Sequence, residues 1–172
     1  SDDLEIFYTG SIVPGETKSD VVDDMGRTLQ VIKEVERDGF DAVVLFPHFD
    51  LGLDEARELV RIPVMGATQT ALHIGGMLGH RICSISPILP LMRGVQHKAR
   101  QYGLDHMVTC RSMGISANGM LPYYAEYLKT GKYGAVLDRL VEVSIKAIEE
   151  DDVSVLTSGC GAMLWLVSAA EK

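Results

Sequence analysis

Residues 151–163 read DDVSVLTSGCGAM, and this segment guides the interpretation of the rest of the chain. Val153, Val155 and Leu156 predict a short buried strand after an acidic helix end. The chain then turns through Ser-Gly-Cys-Gly-Ala and becomes apolar again, which predicts a second helix. Cys160 therefore falls between two glycines at the carboxyl end of a strand, where open α/β sheets bind their ligands.

Two interpretations of Cys160 stay open at this point. Backbone N–H groups at the start of a helix can hold an anion and lower the pKa of a thiol, which suits catalysis. A free cysteine is also one of the most buried residue types, so Cys160 can instead be a small hydrophobic core residue. Position and chemistry alone do not separate the two.

Length and composition fit an α/β protein with a sizeable core. The chain has 172 residues, of which 47% are hydrophobic, enough for one ordinary domain or two small lobes. Its formal net charge of −8 argues against a nucleic-acid surface, which needs clustered Lys and Arg. No apolar run reaches the ~18 residues that span a bilayer, and the acidic N-terminus is unlike a signal peptide. We expect neither nucleic acid nor membrane as a partner.

The cysteines indicate a reducing compartment. Cys83, Cys110 and Cys160 are odd in number and widely spaced, which favours free thiols in the cytoplasm over a disulfide framework. No CxxC pair or Cys/His cluster offers a metal site, so no metal is expected. Cys83 and Cys110 fall within predicted strands and are interpreted as core residues.

Strands and helices alternate along the whole chain. The strands are predicted at residues 4–9, 41–46, 62–66, 81–86, 106–110 and 152–157. The helices between them are predicted at residues 20–37, 53–60, 69–78, 91–102, 122–129 and 136–149. This order predicts parallel strands joined by right-handed helical crossovers. The run DAVVLF at residues 41–46 is typical of a strand buried on both faces.

Two polar loops, at residues 10–20 and 111–119, follow predicted strands. Loops after parallel strands carry ligand contacts, so Ser11 and Thr17 are weak binding candidates. Turn formation and helix N-capping are the alternatives for both residues, and the sequence favours these alternatives.

The chain also contains a hint of internal duplication. Residues 36–45 (ERDGFDAVVL) and 149–156 (EEDDVSVL) share an acidic helix end followed by a valine-rich strand. If a pseudo-twofold axis relates the two halves, the loops after the second and sixth predicted strands face each other across a cleft. The alternative is that any two βα units look this similar.

Three segments resemble one known superfamily in order and spacing. They are DGFDAVVLFPHFDLGLDEARELVRIPVMGATQTALHIGGMLGHR at 38–81, ARQYGLDH at 99–106 and VLTSGCGAM at 155–163. The chain is similar to the aspartate/glutamate/hydantoin racemase superfamily, and most closely to its hydantoin racemase-like branch.

The resemblance implies an α/β fold of two pseudosymmetric, flavodoxin-like lobes with parallel sheets. We expect the first lobe at residues 1–79 and the second at residues 80–172, with the active site between them. Because the chain starts just before its first strand and stops within a predicted helix, we expect the first lobe to be incomplete at both chain ends. The resemblance also implies self-association into a homo-oligomer.

The chemistry implied by the resemblance is proton transfer at a carbon next to a carbonyl or carboxylate, without a cofactor. In two-cysteine members one thiolate removes the α-proton and the other thiol donates a proton to the opposite face. Cys160 matches the second cysteine, but the first falls on Pro47. His48 is the nearest alternative acid or base, since an unperturbed imidazole titrates near ~6.5. His48 can also be a surface loop residue.

The remaining site candidates surround these two residues. Backbone groups near Cys160 and His48 are expected to hold the carboxylate or imide of a small-molecule substrate. The predicted substrate-binding residues are Pro47, Phe49, Ser86, Gly159, Gly161 and Ala162.

Several functions remain open on the sequence alone. The first is a racemase or isomerase acting on a small amino-acid derivative or a hydantoin, with Cys160 as acid/base. Pro47 in place of a cysteine keeps a single-cysteine decarboxylase of the arylmalonate type, or a non-catalytic metabolite-binding member, as alternatives. A flavodoxin-like phosphate binder is weaker, because no GxGxxG or Walker pattern follows a strand.

Overall fold

In the computed structural model of the protein, residues 18–46 and 48–170 are described. The predicted strand at residues 4–9 and the candidates Ser11, Thr17 and Pro47 lie outside them. The strands are β1 Val43–Leu45, β2 Val64–Gly66, β3 Ile82–Ser86, β4 Val108–Ser112 and β5 Val155–Ser158. The helices are α1 Lys18–Arg37, α2 Leu53–Leu59, α3 Ala67–Leu78, α4 Leu89–Gln101, α5 Ala117–Thr130, α6 Ala135–Asp151 and α7 Leu164–Ala170.

Strands and helices alternate as predicted, and the larger sheet is parallel. Its order is β4-β3-β5, with Ile82 of β3 opposite Val108 of β4 and Val155 of β5. The strands β1 and β2 form a separate two-stranded sheet. This arrangement confirms the predicted α/β class with parallel strands, because parallel neighbours need helical crossovers.

The chain divides into two compact units. In the described residues, the first unit comprises 18–43 and 52–64, and the second comprises 44–51 and 65–170. The first unit contains α1 and α2, and the second contains the three-stranded sheet. The lobe boundary expected between residues 79 and 80 stays a prediction.

The first unit is held by contacts between its helices and the segment that follows α2. Gly52, at φ +76°, passes close to α1, and a Cβ on it would lie 3.1 Å from Met25 Cγ. The Arg57 Nε donates a hydrogen bond of 3.1 Å to the Val64 carbonyl. Glycine suits position 52 because it adopts a positive φ without steric penalty.

The core of the second unit lies on both sides of β3, which is buried at every position. Ile82 packs in a cluster with Leu72 of α3 and Val95 of α4. Cys83 and Ile85 belong to a second cluster with residues of α5, α6 and α7. Since successive strand residues point to opposite faces, the helices cover both faces of this sheet.

Several element boundaries differ from the prediction, and those of β4 and α5 show why. Strand β4 ends at Ser112, so Arg111 and Ser112 lie in the strand and not in a loop at 111–119. The Arg111 Nε–H donates a hydrogen bond of 2.6 Å to the Asp151 carboxylate at the end of α6, and this bond stabilises Arg111 in the strand. Helix α5 begins five residues before the predicted start, because the Ser116 Oγ caps it by accepting the Gly119 N–H at 2.9 Å.

The expectation that the strand at 41–46 is buried on both faces is wrong for the described residues. Val44 is 50% exposed and Phe46 is 56% exposed. Val44 and Phe46 lie two residues apart and therefore on the same face of the strand, and this is the face that is exposed.

Candidate functional site

The turn after β5 is closed by the side chain of Ser158. Its Oγ donates a hydrogen bond to the Cys160 carbonyl oxygen at 2.7 Å and accepts one from the Cys160 N–H at 3.3 Å. The N–H of Gly159 donates to the Ile85 carbonyl oxygen at 2.7 Å, which ties the turn to β3. Such serine turns replace regular backbone pairing, so the backbone of Cys160 is fixed relative to the sheet.

Gly159 sits where only a glycine fits without movement of its neighbours. A Cβ at this position would lie 2.3 Å from Ser86 Oγ, 2.9 Å from Ser84 Oγ and 3.1 Å from the Ile85 carbonyl oxygen. The glycine therefore lets the turn approach the carboxyl end of β3 closely, which a strand-edge site for a ligand requires.

The hydroxyl of Ser86 is unusual for a buried group. Ser86 is fully buried at the end of β3, and its Oγ has no hydrogen-bond partner within the described part of the chain. A buried polar atom without a partner is unfavourable and needs an explanation. Its position next to the Cys160 turn makes it a candidate donor to a bound substrate.

Cys160 itself is only 8% exposed and belongs to the apolar cluster that also contains Met163 and Leu166. The short 3-10 turn Gly161–Met163 follows it and leads into α7. The predicted strand–turn–helix order around Cys160 is therefore present. The expectation that the strand is buried is wrong: no position of β5 is buried and Leu156 is 41% exposed. The burial of Cys160 fits both interpretations, a core residue and a thiol in a water-excluded site.

The other two cysteines lie in the sheet, as the sequence indicated. Cys83 is fully buried in β3 and Cys110 is half-buried in β4, and both are free thiols. Burial raises the pKa of Cys83 to about 11, with a further rise from the negative charge of Asp151. Burial likewise raises the pKa of Cys110 to about 12. Both thiols are held in the unreactive protonated form.

The loop after β1 lies beside the Cys160 turn, and both belong to the second unit. A Cβ on Gly161 would lie 3.3 Å from Cδ1 of the Phe46 ring and 3.8 Å from the Phe46 carbonyl oxygen. His48 follows two residues later, at the start of the 3-10 turn His48–Asp50. The backbone of the predicted partner residue therefore belongs to the loop that borders the cysteine turn.

The loop after β1 makes a tight corner in an unfavourable conformation. Phe49 has φ +43° and Asp50 has φ +54°, so two consecutive residues other than glycine are left-handed. Non-glycine residues rarely adopt this region, and such strain gathers at functional sites. The Phe49 ring packs against Gly94 of α4. A Cβ on Gly94 would lie only 2.3 Å from this ring.

Asp50 was not singled out as a functional residue by the sequence, although it opens the D-x-G-L-D motif at residues 50–54. Its carboxylate is fully buried and accepts three hydrogen bonds. The donors are the Thr68 N–H at 2.8 Å, the Gln69 N–H at 2.6 Å and the Tyr102 hydroxyl at 2.8 Å. These bonds join the loop to α3 and to the end of α4.

The predicted site residues thus fall into three groups. Gly159, Ser86 and Cys160 lie together at the carboxyl edge of the sheet, and Gly161 joins them to the loop after β1. The ring of Phe49 points to helix α4 instead. Pro47 and the side chains of His48 and Ala162 lie outside the described residues.

A separate charged cleft opens between β4, α6 and the start of α4. Its lining residues are Leu89, Arg111, Ser112, Arg139, Val143 and Lys146. The cations there are paired with carboxylates: Arg111 with Asp151 and Glu150, and Arg139 and Lys146 with Glu142. This pairing leaves the cleft with little net charge for an anion.

Among residues 18–46 and 48–170, no group of three or more His, Cys, Asp or Glu side chains is arranged to hold a metal ion. Within the same residues, no helix combines the length and the apolar character needed to cross a membrane.

Comparison with characterised proteins gives two similar sequences. The chain is 26% identical over 145 residues to a hydantoin racemase of Pseudomonas sp. (strain NS671), covering 84% of this chain and 55% of that protein. It is 29% identical over 147 residues to a hydantoin racemase of Paenarthrobacter aurescens, covering 83% of this chain and 58% of that protein. The chain thus spans little more than half the length of these relatives. No protein-family model matches the sequence.

Two solved structures share the fold. An allantoin racemase from Klebsiella pneumoniae superposes with a TM-score of 0.78 at 23% identity, covering 94% of this chain and 62% of that chain. An allantoin racemase from Pseudomonas fluorescens superposes with a TM-score of 0.74 at 21% identity, covering 98% of this chain and 67% of that chain. The parallel α/β arrangement, the cysteine turn at its carboxyl edge and these similarities agree: the chain has the fold of these racemases, and its sequence is similar to hydantoin racemases, which supports the resemblance to the aspartate/glutamate/hydantoin racemase superfamily.

Proposed function

We propose that the complete protein is a racemase or isomerase that moves a proton at a carbon next to a carbonyl or carboxylate, without a cofactor. The supporting observation is the position of Cys160, which follows β5 in a turn that lies beside the loop carrying His48. The relatives named hydantoin racemase and allantoin racemase favour a small amino-acid derivative or a hydantoin as the substrate.

The proposed mechanism follows from the weak acidity of such a proton. Cys160 as a thiolate takes the α-proton from one face, and the electron pair passes to the neighbouring carbonyl oxygen. Hydrogen-bond donors must stabilise that oxygen, and we assign this role to the Ser86 hydroxyl and to the backbone N–H groups of Gly161 and Ala162. A second group returns a proton to the opposite face, which inverts the carbon.

The second acid/base is proposed to be His48, since Pro47 stands where two-cysteine members carry the first thiol. A base must be ionised and an acid protonated at the same pH, and an imidazole paired with a thiol meets this condition near neutrality. Burial of Cys160 suits the chemistry, because exclusion of water strengthens every electrostatic interaction in the site. Exposed Phe46 and Gly161 border the turn, and we assign substrate entry to this side.

A decarboxylase is the second candidate, and Pro47 is the observation that favours it. With a single thiol, the enzyme needs only one protonation. The substrate, an α-substituted malonate, loses carbon dioxide, the electron pair is held as an enediolate, and the Cys160 thiol protonates one face. This reaction produces one enantiomer and needs no acid from the loop after β1.

Solvent deuterium incorporation tests the proposal on the complete protein. We expect both enantiomers of a 5-substituted hydantoin to gain deuterium at the α-carbon in deuterium oxide, and Cys160→Ala to abolish this exchange. Cys110→Ala is the matched control, because it removes a thiol that burial keeps protonated. Exchange that survives in Cys160→Ala would remove Cys160 from the mechanism. Stereospecific loss of carbon dioxide from an arylmalonate, without exchange into hydantoins, would favour the decarboxylase.

A cytoplasmic location and self-association stay predictions. None of the three cysteines forms a disulfide, which fits a reducing compartment. If the complete protein binds a hydantoin but catalyses no deuterium exchange at its α-carbon, the protein is instead a metabolite-binding member of the fold.

A further inference from the structure

The corner at Phe49 and Asp50 requires contacts with the rest of the protein that stabilise its backbone conformation. Both residues have a positive φ, at +43° and +54°, and neither is a glycine. A side chain in this region meets its own backbone, so the conformation persists only where surrounding contacts impose it. The corner directly follows His48, so whatever holds it also sets the direction of the loop.

The Asp50 carboxylate is the main restraint. Its Oδ1 accepts the Thr68 N–H at 2.8 Å, and its Oδ2 accepts the Gln69 N–H at 2.6 Å. These N–H groups belong to the first turn of α3, which has no side-chain cap from its own N-cap residue, Gly66. A residue 18 positions earlier in the chain therefore supplies the cap, and the positive end of the helix dipole favours its negative charge.

Tyr102 provides a second restraint from another helix. Its hydroxyl donates to Asp50 Oδ2 at 2.8 Å from the C-terminal end of α4. The neighbouring residue, Phe49, packs its ring against Gly94 of the same helix. The corner is thus fixed to α3 through one side chain and to α4 through two. Hydrogen bonds to a fully buried carboxylate are strong and directional.

The restrained corner lies between two segments of the proposed site. Phe46, on its N-terminal side, lies near Gly161, the residue after Cys160: a Cβ on Gly161 would be 3.3 Å from the Phe46 ring. We propose that Asp50 and Tyr102 are positioning residues for proton transfer: they impose the strained corner and thereby set where His48 stands relative to the Cys160 turn. This inference rests on the proposed racemase function. Neither residue is assigned a contact with the reacting atoms.

Two substitutions separate the two restraints. Tyr102→Phe removes one donor and leaves both backbone bonds to Asp50 in place. Asp50→Asn keeps the size of the side chain but replaces one acceptor oxygen by an NH₂ group, which faces another donor. Tyr133→Phe is the matched control, because it removes the hydroxyl of another half-buried tyrosine and keeps its stacking on Trp165 and Tyr127.

The experiment measures racemisation of a hydantoin, alkylation of Cys160 and thermal unfolding for the complete protein and its variants. We expect Tyr102→Phe to lower kcat roughly tenfold, because small misplacement of a catalytic group has a large effect on rate. KM, the alkylation rate of Cys160 and the melting temperature should stay close to those of the unsubstituted protein. Asp50→Asn should lower kcat further, and Tyr133→Phe should leave kcat unchanged.

The outcomes distinguish this inference from the function on which it rests. If the unsubstituted protein racemises its substrate and Tyr102→Phe has the same kcat, the positioning role is wrong and the racemase stands. If kcat falls only together with the melting temperature and the alkylation rate, Tyr102 and Asp50 are purely structural, which also overturns the inference. If the unsubstituted protein does not racemise, the proposed function fails and the inference falls with it.

Discussion

Gly159 and Ser86 approach each other so closely that a Cβ on Gly159 would lie 2.3 Å from the Ser86 Oγ. Ser86 is the last residue of β3 and Gly159 directly follows β5, the neighbouring parallel strand, so both lie at the edge where the two strands end. The contact brings the turn that contains Cys160 over a buried hydroxyl. It also makes the stability of this edge sensitive to a single methyl group.

The first prediction concerns this contact. Gly159→Ala is expected to lower the free energy of unfolding by about 1–3 kcal/mol, because the added methyl overpacks a region that includes the Ile85 backbone oxygen. Urea unfolding measures the change. Gly26→Ala is the control: a Cβ there meets nothing within 4 Å, and alanine in the helix should stabilise by up to about 1 kcal/mol. Equal effects at both positions would contradict the prediction.

The second prediction separates the two roles of Ser86. Ser86→Ala is expected to raise the free energy of unfolding or leave it unchanged, because it removes a buried hydroxyl without a partner in the described residues. Relief of such a group is worth at most about 1–3 kcal/mol. In the complete protein, kcat/KM for racemisation should fall by roughly tenfold, equivalent to one hydrogen bond in the transition state. A loss of stability with no change in kcat/KM would show that the hydroxyl serves only the fold.

The third prediction concerns thiol reactivity. Because the pKa of Cys83 is raised to about 11 and that of Cys110 to about 12, fewer than roughly one thiol in a thousand at either position is ionised at neutral pH. We expect iodoacetamide to label Cys160 before the other two, with peptide mass spectrometry as the measurement. Denatured protein, in which all three thiols should react alike, is the control. Labelling of Cys160 no faster than that of Cys83 would favour the metabolite-binding interpretation.

The fourth prediction tests the packing of the strained corner. Gly94→Ala places a methyl group 2.3 Å from the Phe49 ring, so we expect a loss of about 1–3 kcal/mol in the free energy of unfolding. In a Phe49→Leu background the same substitution should have a smaller effect, since the shorter side chain leaves room. A double-mutant cycle from urea unfolding gives the coupling. Additive effects would mean that the two residues do not compete for this space.

The fifth prediction concerns acid stability. Hydrogen bonds from the Arg111 guanidinium lower the pKa of the Asp151 carboxyl below its ordinary value. A carboxyl with a lowered native pKa contributes stability that is present above its unfolded pKa, about 3.9, and is lost as the pH falls through the native value. Asp151→Asn should therefore lower the free energy of unfolding by about 1 kcal/mol at pH 7.

This difference should shrink as the pH falls below about 4, because the carboxyl of the unfolded chain then takes up a proton before the carboxyl of the native protein does. Urea unfolding at pH 7 and at acid pH measures it. The exposed Asp105 provides the control, and Asp105→Asn should change little at either pH. A deficit in Asp151→Asn that is as large in acid as at pH 7 would assign the effect to packing and not to charge.

The alternation of strands and helices could be predicted from the sequence, because it depends on local patterns. The periodicity of residues 20–37 and the apolar runs of β3 and β5 identify helices and strands without knowledge of their neighbours. The turn at Cys160 could be placed for the same reason, since two glycines follow a short apolar run. The resemblance to the racemase superfamily could be found from the order and spacing of the segments at 38–81, 99–106 and 155–163.

The boundaries of β4 and α5 were missed because they depend on distant partners. Arg111 lies in a strand where Asp151, 40 residues later, accepts its hydrogen bonds. Ser116 is a typical N-cap residue, but Pro122 is also a typical residue for the start of a helix. The sequence alone did not show which of the two marks the start of α5. Pro122 lies inside α5, where proline usually ends a helix.

The sequence by itself determined the α/β class, the cysteine turn and the resemblance to the racemase superfamily, since each is a pattern of neighbouring residues. Only the tertiary structure decided that Gly159 rests on Ser86, that the Cys83 and Cys110 thiols are kept protonated, and that Asp50 caps a helix 18 residues away while bound to Tyr102. These features arise from burial and from contacts between segments that are far apart in the chain. The chemical groups are known from the sequence, but the distances between them depend on how the chain folds.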